Sequence, residues 1–112
     1  MSAVTELAER LGKAIADSPA ATNLRDARKA VNQQPELEKL LKDFQQQSER
    51  IAQMEQENKP VEVEDKRKLQ ELHGELIASD VFKKYTAAQV EYVDLMRKVN
   101  EAIGRQISDT EQ

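Results

Sequence analysis

The 112-residue chain contains no cysteine and no tryptophan. The missing thiols exclude disulfides, thiolate zinc sites and cysteine-ligated iron–sulfur clusters within the chain. It has one histidine, His73, although general acid–base catalysis and metal binding both recruit imidazole most often. A zinc-binding helix pair would need a second ligand one turn away, but position 70 is glutamine and position 77 is isoleucine. Carboxylate-rich di-metal bundles take a Glu-x-x-His pair from each of two helices, which a single histidine cannot supply. No glycine-rich phosphate loop and no credible Ser/His/Asp constellation is present. Neither an enzymatic activity nor a cofactor is expected.

No apolar run approaches the roughly 20 residues that span a bilayer, so membrane insertion is not expected. Residues 1–10 hold two glutamates and no hydrophobic block. A signal peptide is therefore not expected, and a cytoplasmic location is. The net charge of −4 disfavours direct nucleic-acid binding, which goes with a basic balance. Glycine and proline number 3 each and aromatics make up 4%. The first scarcity removes turns, and the second removes the bulky anchors of a compact monomeric core. What remains is 34% charged and 38% hydrophobic residues, the balance of a helix-rich chain. Narrow apolar stripes on long helices bury little surface in one small chain, which favours self-association.

The sparse breakers sit where helices would begin and end. Ser18-Pro19 puts a capping residue before proline. Pro35 follows the weak helix formers Asn32-Gln33-Gln34, where its missing N–H costs little. Asn58-Lys59-Pro60 stops the preceding segment, and Ser79-Asp80 can cap the next one. The pattern predicts one all-α domain over 1–112. Its five helices, at about 3–17, 19–33, 35–58, 63–78 and 80–107, form a long antiparallel hairpin or bundle that oligomerises. In the first helix Val4, Leu7, Leu11 and Ile15 share a face, with Ala8, Gly12 and Ala16 beside it. Gly12 and Gly104 each cost roughly 1 kcal/mol relative to alanine in a helix, and close approach of another helix is the expected reason for them.

Two stretches carry apolar residues at heptad spacing, each interrupted by one glutamine. The first runs Leu37, Leu40, Phe44, Gln47, Ile51, Met54, Asn58, and the second Phe82, Tyr85, Gln89, Tyr92, Met96, Val99, Ile103. This 3,4 spacing keeps a coiled-coil seam facing a partner helix. In the second stretch Val81, Ala88, Leu95 and Ala102 widen the stripe to three positions per heptad, which belongs to a bundle with more than one neighbour. Phe82, Tyr85, Gln89, Tyr92, Leu95, Met96 and Val99 are the candidate oligomer or partner interface, with Phe44, Ile51 and Met54 on the first seam. A seam glutamine is either a tolerated polar residue at the solvent edge or a buried amide fixing register. The edge reading is favoured for Gln47, and the two are even for Gln89.

The charge clusters have bland explanations. Glu62, Glu64 and Asp65 precede or open a helix and complement its positive end. Arg25, Arg28 and Lys29, then Lys66, Arg67 and Lys68, and finally Lys83 and Lys84 read as solvated faces with acidic neighbours.

Taken in order, these features resemble the YlbF/YmcA/YheA family of small bacterial helical proteins, most closely its YheA-like branch. The features are the Leu7/Leu11/Ile15 helix, Ser18 and Leu24, and Pro35-Glu36-Leu37 with Leu40, Leu41 and Phe44. An acidic break at 58–65 follows, then Leu69 to Leu76 leading into Val81-Phe82, Tyr85, Ala88 and the Tyr92 to Ile103 helix. The resemblance implies a non-enzymatic helical regulator that associates with itself and with other proteins. In one branch it implies a complex acting on the ribonuclease RNase Y, and through it on mRNA processing and development. That branch binds iron–sulfur clusters through cysteines, so this cofactor does not carry over to a chain without them. The alternative is a structural or chaperone-like coiled-coil oligomer whose helix tips hold clients.

Overall fold

A computed structural model describes residues 2–111. It contains five helices: α1 (Ala3–Ala16), α2 (Pro19–Asn32), α3 (Pro35–Gln56), α4 (Val63–Ile77) and α5 (Asp80–Glu111). No strand occurs among the described residues. The all-α architecture of five helices is as the sequence predicts.

The helix ends follow from local hydrogen bonding. Ser2 caps α1, its Oγ accepting the Thr5 N–H at 3.1 Å. Ser18 serves two helices: its hydroxyl donates to the Ile15 carbonyl at 2.6 Å, closing α1, and accepts the Ala21 N–H at 3.2 Å, opening α2. Ser79 caps α5 through the Phe82 N–H at 3.2 Å. At the start of α4, Asp65 Oδ2 accepts the Glu62 N–H at 3.4 Å, one half of a capping box.

Two ends differ from the expected ones by more than one residue. α3 stops at Gln56 instead of continuing to Asn58. Asn58 adopts a left-handed conformation with φ 57°. Its N–H bonds to the Glu55 carbonyl at 3.2 Å, and the Lys59 N–H to the Met54 carbonyl at 2.8 Å. These two bonds form a Schellman motif, in which asparagine tolerates the left-handed position almost as glycine does. Asn58 is therefore a helix stop and not the last seam residue. α5 continues past residue 107 to Glu111, because no breaker follows Ile107 to end it. At 1.5 Å per residue α3 is roughly 33 Å long and α5 roughly 48 Å.

The chain forms two compact units. The hairpin unit is Lys29–Lys84, and the terminal unit joins Met1–Arg28 to Tyr85–Gln112. In the hairpin unit α3 and α4 pack directly against each other. The pairing is antiparallel: Gln47 of α3 reaches Asp65 at the start of α4, while the earlier Phe44 lies with its ring 6.0 Å from that of His73, farther along α4. Val31, Leu37 and Leu76 are buried here, Leu76 with 0% of its surface exposed. Gln47 is the exception among them, a polar residue only 5% exposed. Its Nε2 donates to the Asp65 carbonyl at 2.9 Å. The solvent-edge reading of Gln47 is thus wrong: the amide lies inside the helix pair and ties α3 to the first turn of α4.

The terminal unit is built differently. Its buried residues are Ala20, Ala21 and Ala88. No buried residue lies in α1. Ile15, Leu24, Tyr92, Leu95, Met96 and Val99 are half-buried.

Candidate interaction surface

The apolar stripe of α1 follows the 3.6-residue period, and the fold leaves it open. Val4 is 77% and Leu7 61% exposed, and Leu11 is also exposed. On α5 the exposed apolar side chains are Val90, Val93, Ile103 and Ile107, Val90 at 70%. Among the large hydrophobics that face solvent, only Val63 and Ile77 belong to the hairpin unit.

Between these helices the terminal unit carries clefts, not packed interfaces. One of about 440 Å³ is lined by Gly12, Ile15 and Ala16 of α1, Leu24 of α2, and Tyr92 and Met96 of α5. A larger one, about 840 Å³, runs between Leu24 and Arg28 of α2 and Thr86, Val90, Val93 and Arg97 of α5. The glycines corroborate this openness. A methyl group added at Gly12 or Gly104 would meet no atom within 4 Å. Within this chain no helix approaches either glycine closely. Gly12 faces the open cleft.

The predicted interface residues divide between the two units. Phe44, Ile51 and Met54 lie half-buried in the hairpin unit, Phe44 against His73. Phe82, also half-buried, begins α5 inside that unit. Tyr85, Gln89, Tyr92, Leu95, Met96 and Val99 belong to the terminal unit. Of these, Gln89 is exposed and the others half-buried, and Tyr92 and Met96 line the smaller cleft. Gln89 Nε2 donates to the Tyr85 hydroxyl at 3.0 Å, one turn back on the same helix, so its amide already has a local partner.

Sequence reasoning missed Val90 and Val93. They fall at heptad positions b and e, off the seam, and a wider helical-wheel search would have found the two valines three residues apart. It also placed Val4 and Leu7 on an apolar face without adding them to the interface.

Charged side chains share this surface: Arg28 lines both clefts, Arg25 the smaller, and Asp94 and Arg97 the larger. Arg97 bonds to Asp94 at 2.6 Å and to Glu101 at 2.8 Å, and Lys98 pairs with Asp94 at 3.2 Å. The Arg97 hydrogen bond, with that of Lys98 second, holds the Asp94 carboxyl below the usual carboxylate range. In the hairpin unit Arg67 pairs with Glu64 at 2.7 Å and Glu71 at 3.9 Å, as a solvated basic face would. Among the described residues no three carboxylate or imidazole side chains converge to hold a metal ion. No helix there is long and apolar enough to cross a membrane.

The family model described as "Control of competence regulator ComK, YlbF/YmcA" matches residues 4–108. The fold is similar to the crystal structure of Bacillus subtilis RicA in complex with RicF. The TM-score is 0.78 at 22% sequence identity, over 97% of this chain and 96% of that one. Identity that low makes the likeness one of fold. No curated protein matches the sequence significantly.

Proposed function

We propose a function from one premise: the chain belongs to the YlbF/YmcA family. It works as a non-enzymatic regulatory protein that docks other proteins, and copies of itself, on the faces of its long helices. The observation that carries this reading is the set of uncovered apolar side chains of the terminal unit, Val4, Leu7 and Leu11 on α1 and Val90 and Val93 on α5. Soluble chains seldom leave such patches bare, and where they do the patch marks an interaction site. RicA, whose fold this chain shares, is described in complex with another protein, RicF. By resemblance the downstream role is RNase Y-linked mRNA processing and developmental regulation in the bacterial cytoplasm.

The test is a chain carrying Val90→Glu and Val93→Glu, expressed in place of the native one in the source organism. Transcript ends generated by RNase Y should shift as they do in a strain lacking the chain, while the amount of protein stays unchanged. Native transcript ends in both strains would remove the RNase Y role. Recovery of the same cross-linked partners by the native and variant chains would remove the docking face.

A second reading, a chaperone-like oligomer, draws on Val4 and Ile107, exposed near the start of α1 and the end of α5. Val90 and Val93, well inside α5, favour a continuous docking face over gripping tips. Suppression of aggregation of a model client by the purified chain would reverse that preference.

A further inference from the structure

We infer that the groove between α2 and α5 takes an acid-bearing amphipathic helix of another protein, whose carboxylates meet Arg28 and Arg25 while its apolar side chains cover Leu24, Val90 and Val93. The inference rests on the docking reading above and names the chemistry of the partner.

The shape of the groove sets the first condition. Thr86, Val90, Val93 and Arg97 follow one another at helical spacing along its α5 wall. At 1.5 Å per residue this wall is roughly 17 Å long, about three turns of a docked helix. Leu24 and Arg28, one turn apart, form the α2 wall. A space between two helices is the place that a further helix takes in a bundle. Among the described residues no strand offers an edge to an extended peptide. Tyr92 is the only aromatic side chain lining the groove, too few for the aromatic-lined grooves that hold proline-rich segments.

Charge sets the second condition. Arg97 stands between two carboxylates of its own helix, Asp94 and Glu101, and Arg67 between Glu64 and Glu71. Arg25 and Arg28 have no such neighbours. One turn from Arg25 stand Ala21, Thr22, Arg28 and Lys29, and one turn from Arg28 stand Leu24, Arg25, Val31 and Asn32. Arg25 donates to the Thr22 hydroxyl at 3.3 Å. Arg28 makes no hydrogen bond or ion pair among the described residues. The two arginines are like charges three residues apart on one helix, which repel. Asp94, on the α5 side, is already held by Arg97 and Lys98. The groove therefore sets uncompensated positive charge beside apolar side chains. Its complement is a carboxylate, which arginine binds with two parallel hydrogen bonds. The same charge disfavours a second copy, because a two-fold contact of this groove with itself sets arginines against arginines.

A displayed library of helical peptides of about 16 residues, randomised along one face, tests this when sorted on the purified native chain. Enriched sequences should carry apolar residues at i, i+3 or i+4, and i+7, with Asp or Glu beside that stripe. The tightest of them, made as a free peptide, should bind Arg28→Glu roughly tenfold more weakly. Exchanging its carboxylate for lysine should restore binding to that variant. Arg28 is exposed, so the substitution should leave the circular dichroism spectrum unchanged. Lys29→Glu, a neighbouring charge that lines neither cleft, should change the affinity less than about twofold.

A library that yields no binder, or binders without an acidic preference, overturns the inference. So does equal affinity of an acidic peptide for the native chain and Arg28→Glu. Self-association abolished by Arg28→Glu, read by light scattering, would put a second copy in the groove and overturn it as well. Cross-linked partners lost with Val90→Glu and Val93→Glu but kept with Arg28→Glu would end the acidic partner and leave the docking reading standing. Partners kept by both variants would end the docking reading itself.

Discussion

The hairpin unit and the terminal unit draw on the same amino-acid alphabet and reach opposite states of completion. α3 and α4 bury Leu37 and Leu76 and place a satisfied amide, Gln47, between them. Among its described residues the terminal unit buries only Ala20, Ala21 and Ala88 and leaves Val4, Leu7, Val90 and Val93 in solvent. Each buried CH₂ is worth about 0.8 kcal/mol, so three alanine methyls secure far less than two leucines and a valine. The difference shows that periodicity creates an apolar face without deciding what covers it. A short connection through the Asn58 turn brings α4 back onto α3, so that face is closed locally. Within the terminal unit the apolar stripe of α1 and the valines of α5 are left open.

The largest expected effect tests the completed unit. Leu76→Ala removes a fully buried side chain and should cost about 3 kcal/mol, read as a shift of the denaturation midpoint in urea. Leu7→Ala, measured at concentrations low enough to keep the chain single, should cost less than about 0.5 kcal/mol. A reversed order would break the comparison, because α1 would then carry the core. Next comes Gln47→Ala, which leaves a void and removes the hydrogen bond to the Asp65 carbonyl, for a loss of about 2 kcal/mol. Gln89→Ala, whose amide is exposed and bonded to its own helix, should leave the midpoint almost unmoved in the same assay.

Most of the fold was legible from the sequence because it depends on local chemistry. Ser18 and Ser79 mark helix starts through hydrogen bonds made within three residues, and these bonds are present, while Pro19 and Pro35 open their helices with a fixed φ and no N–H to satisfy. Asn58 was legible as a stop but not as the left-handed residue that ends α3 two positions earlier. The burial of Gln47 was not legible at all, because it depends on the carbonyl of Asp65, eighteen residues away in sequence. The same limit applies to the surface. The heptad stripe located Tyr92 and Met96, which line a cleft, whereas Val90 and Val93 lie off the seam, and nothing in a heptad pattern shows that they line a cleft with α2.

Gly12→Ala sharpens the comparison through its sign. In the lone chain the added methyl meets nothing within 4 Å, so the substitution should raise stability by about 1 kcal/mol through helix propensity alone. A second chain docked on α1 would meet the same methyl in the cleft beside Gly12. The gain should therefore appear in dilute protein and shrink or reverse as concentration rises. A gain independent of concentration would mean that nothing approaches α1 at Gly12.

The smallest effect concerns the charges on α5. Asp94 accepts hydrogen bonds from Arg97 and Lys98, and the first of these is the main reason its carboxyl titrates low. Its folded pKa lies below its unfolded one, so between the two the unfolded chain binds more protons and stability rises with pH. The contribution is complete above the ordinary carboxylate pKa of about 3.9 and disappears as pH falls through the lower folded value. Asp94→Asn should therefore lower helix stability slightly at neutral pH, and the variant and native curves should converge in acid when followed by circular dichroism. Because the network is open to solvent, concentrated salt should erase most of the difference at neutral pH as well. A difference that survives both acid and salt would mean that Asp94 acts through packing. The charged border of α5 would then belong to the same covered surface as the apolar stripe beside it.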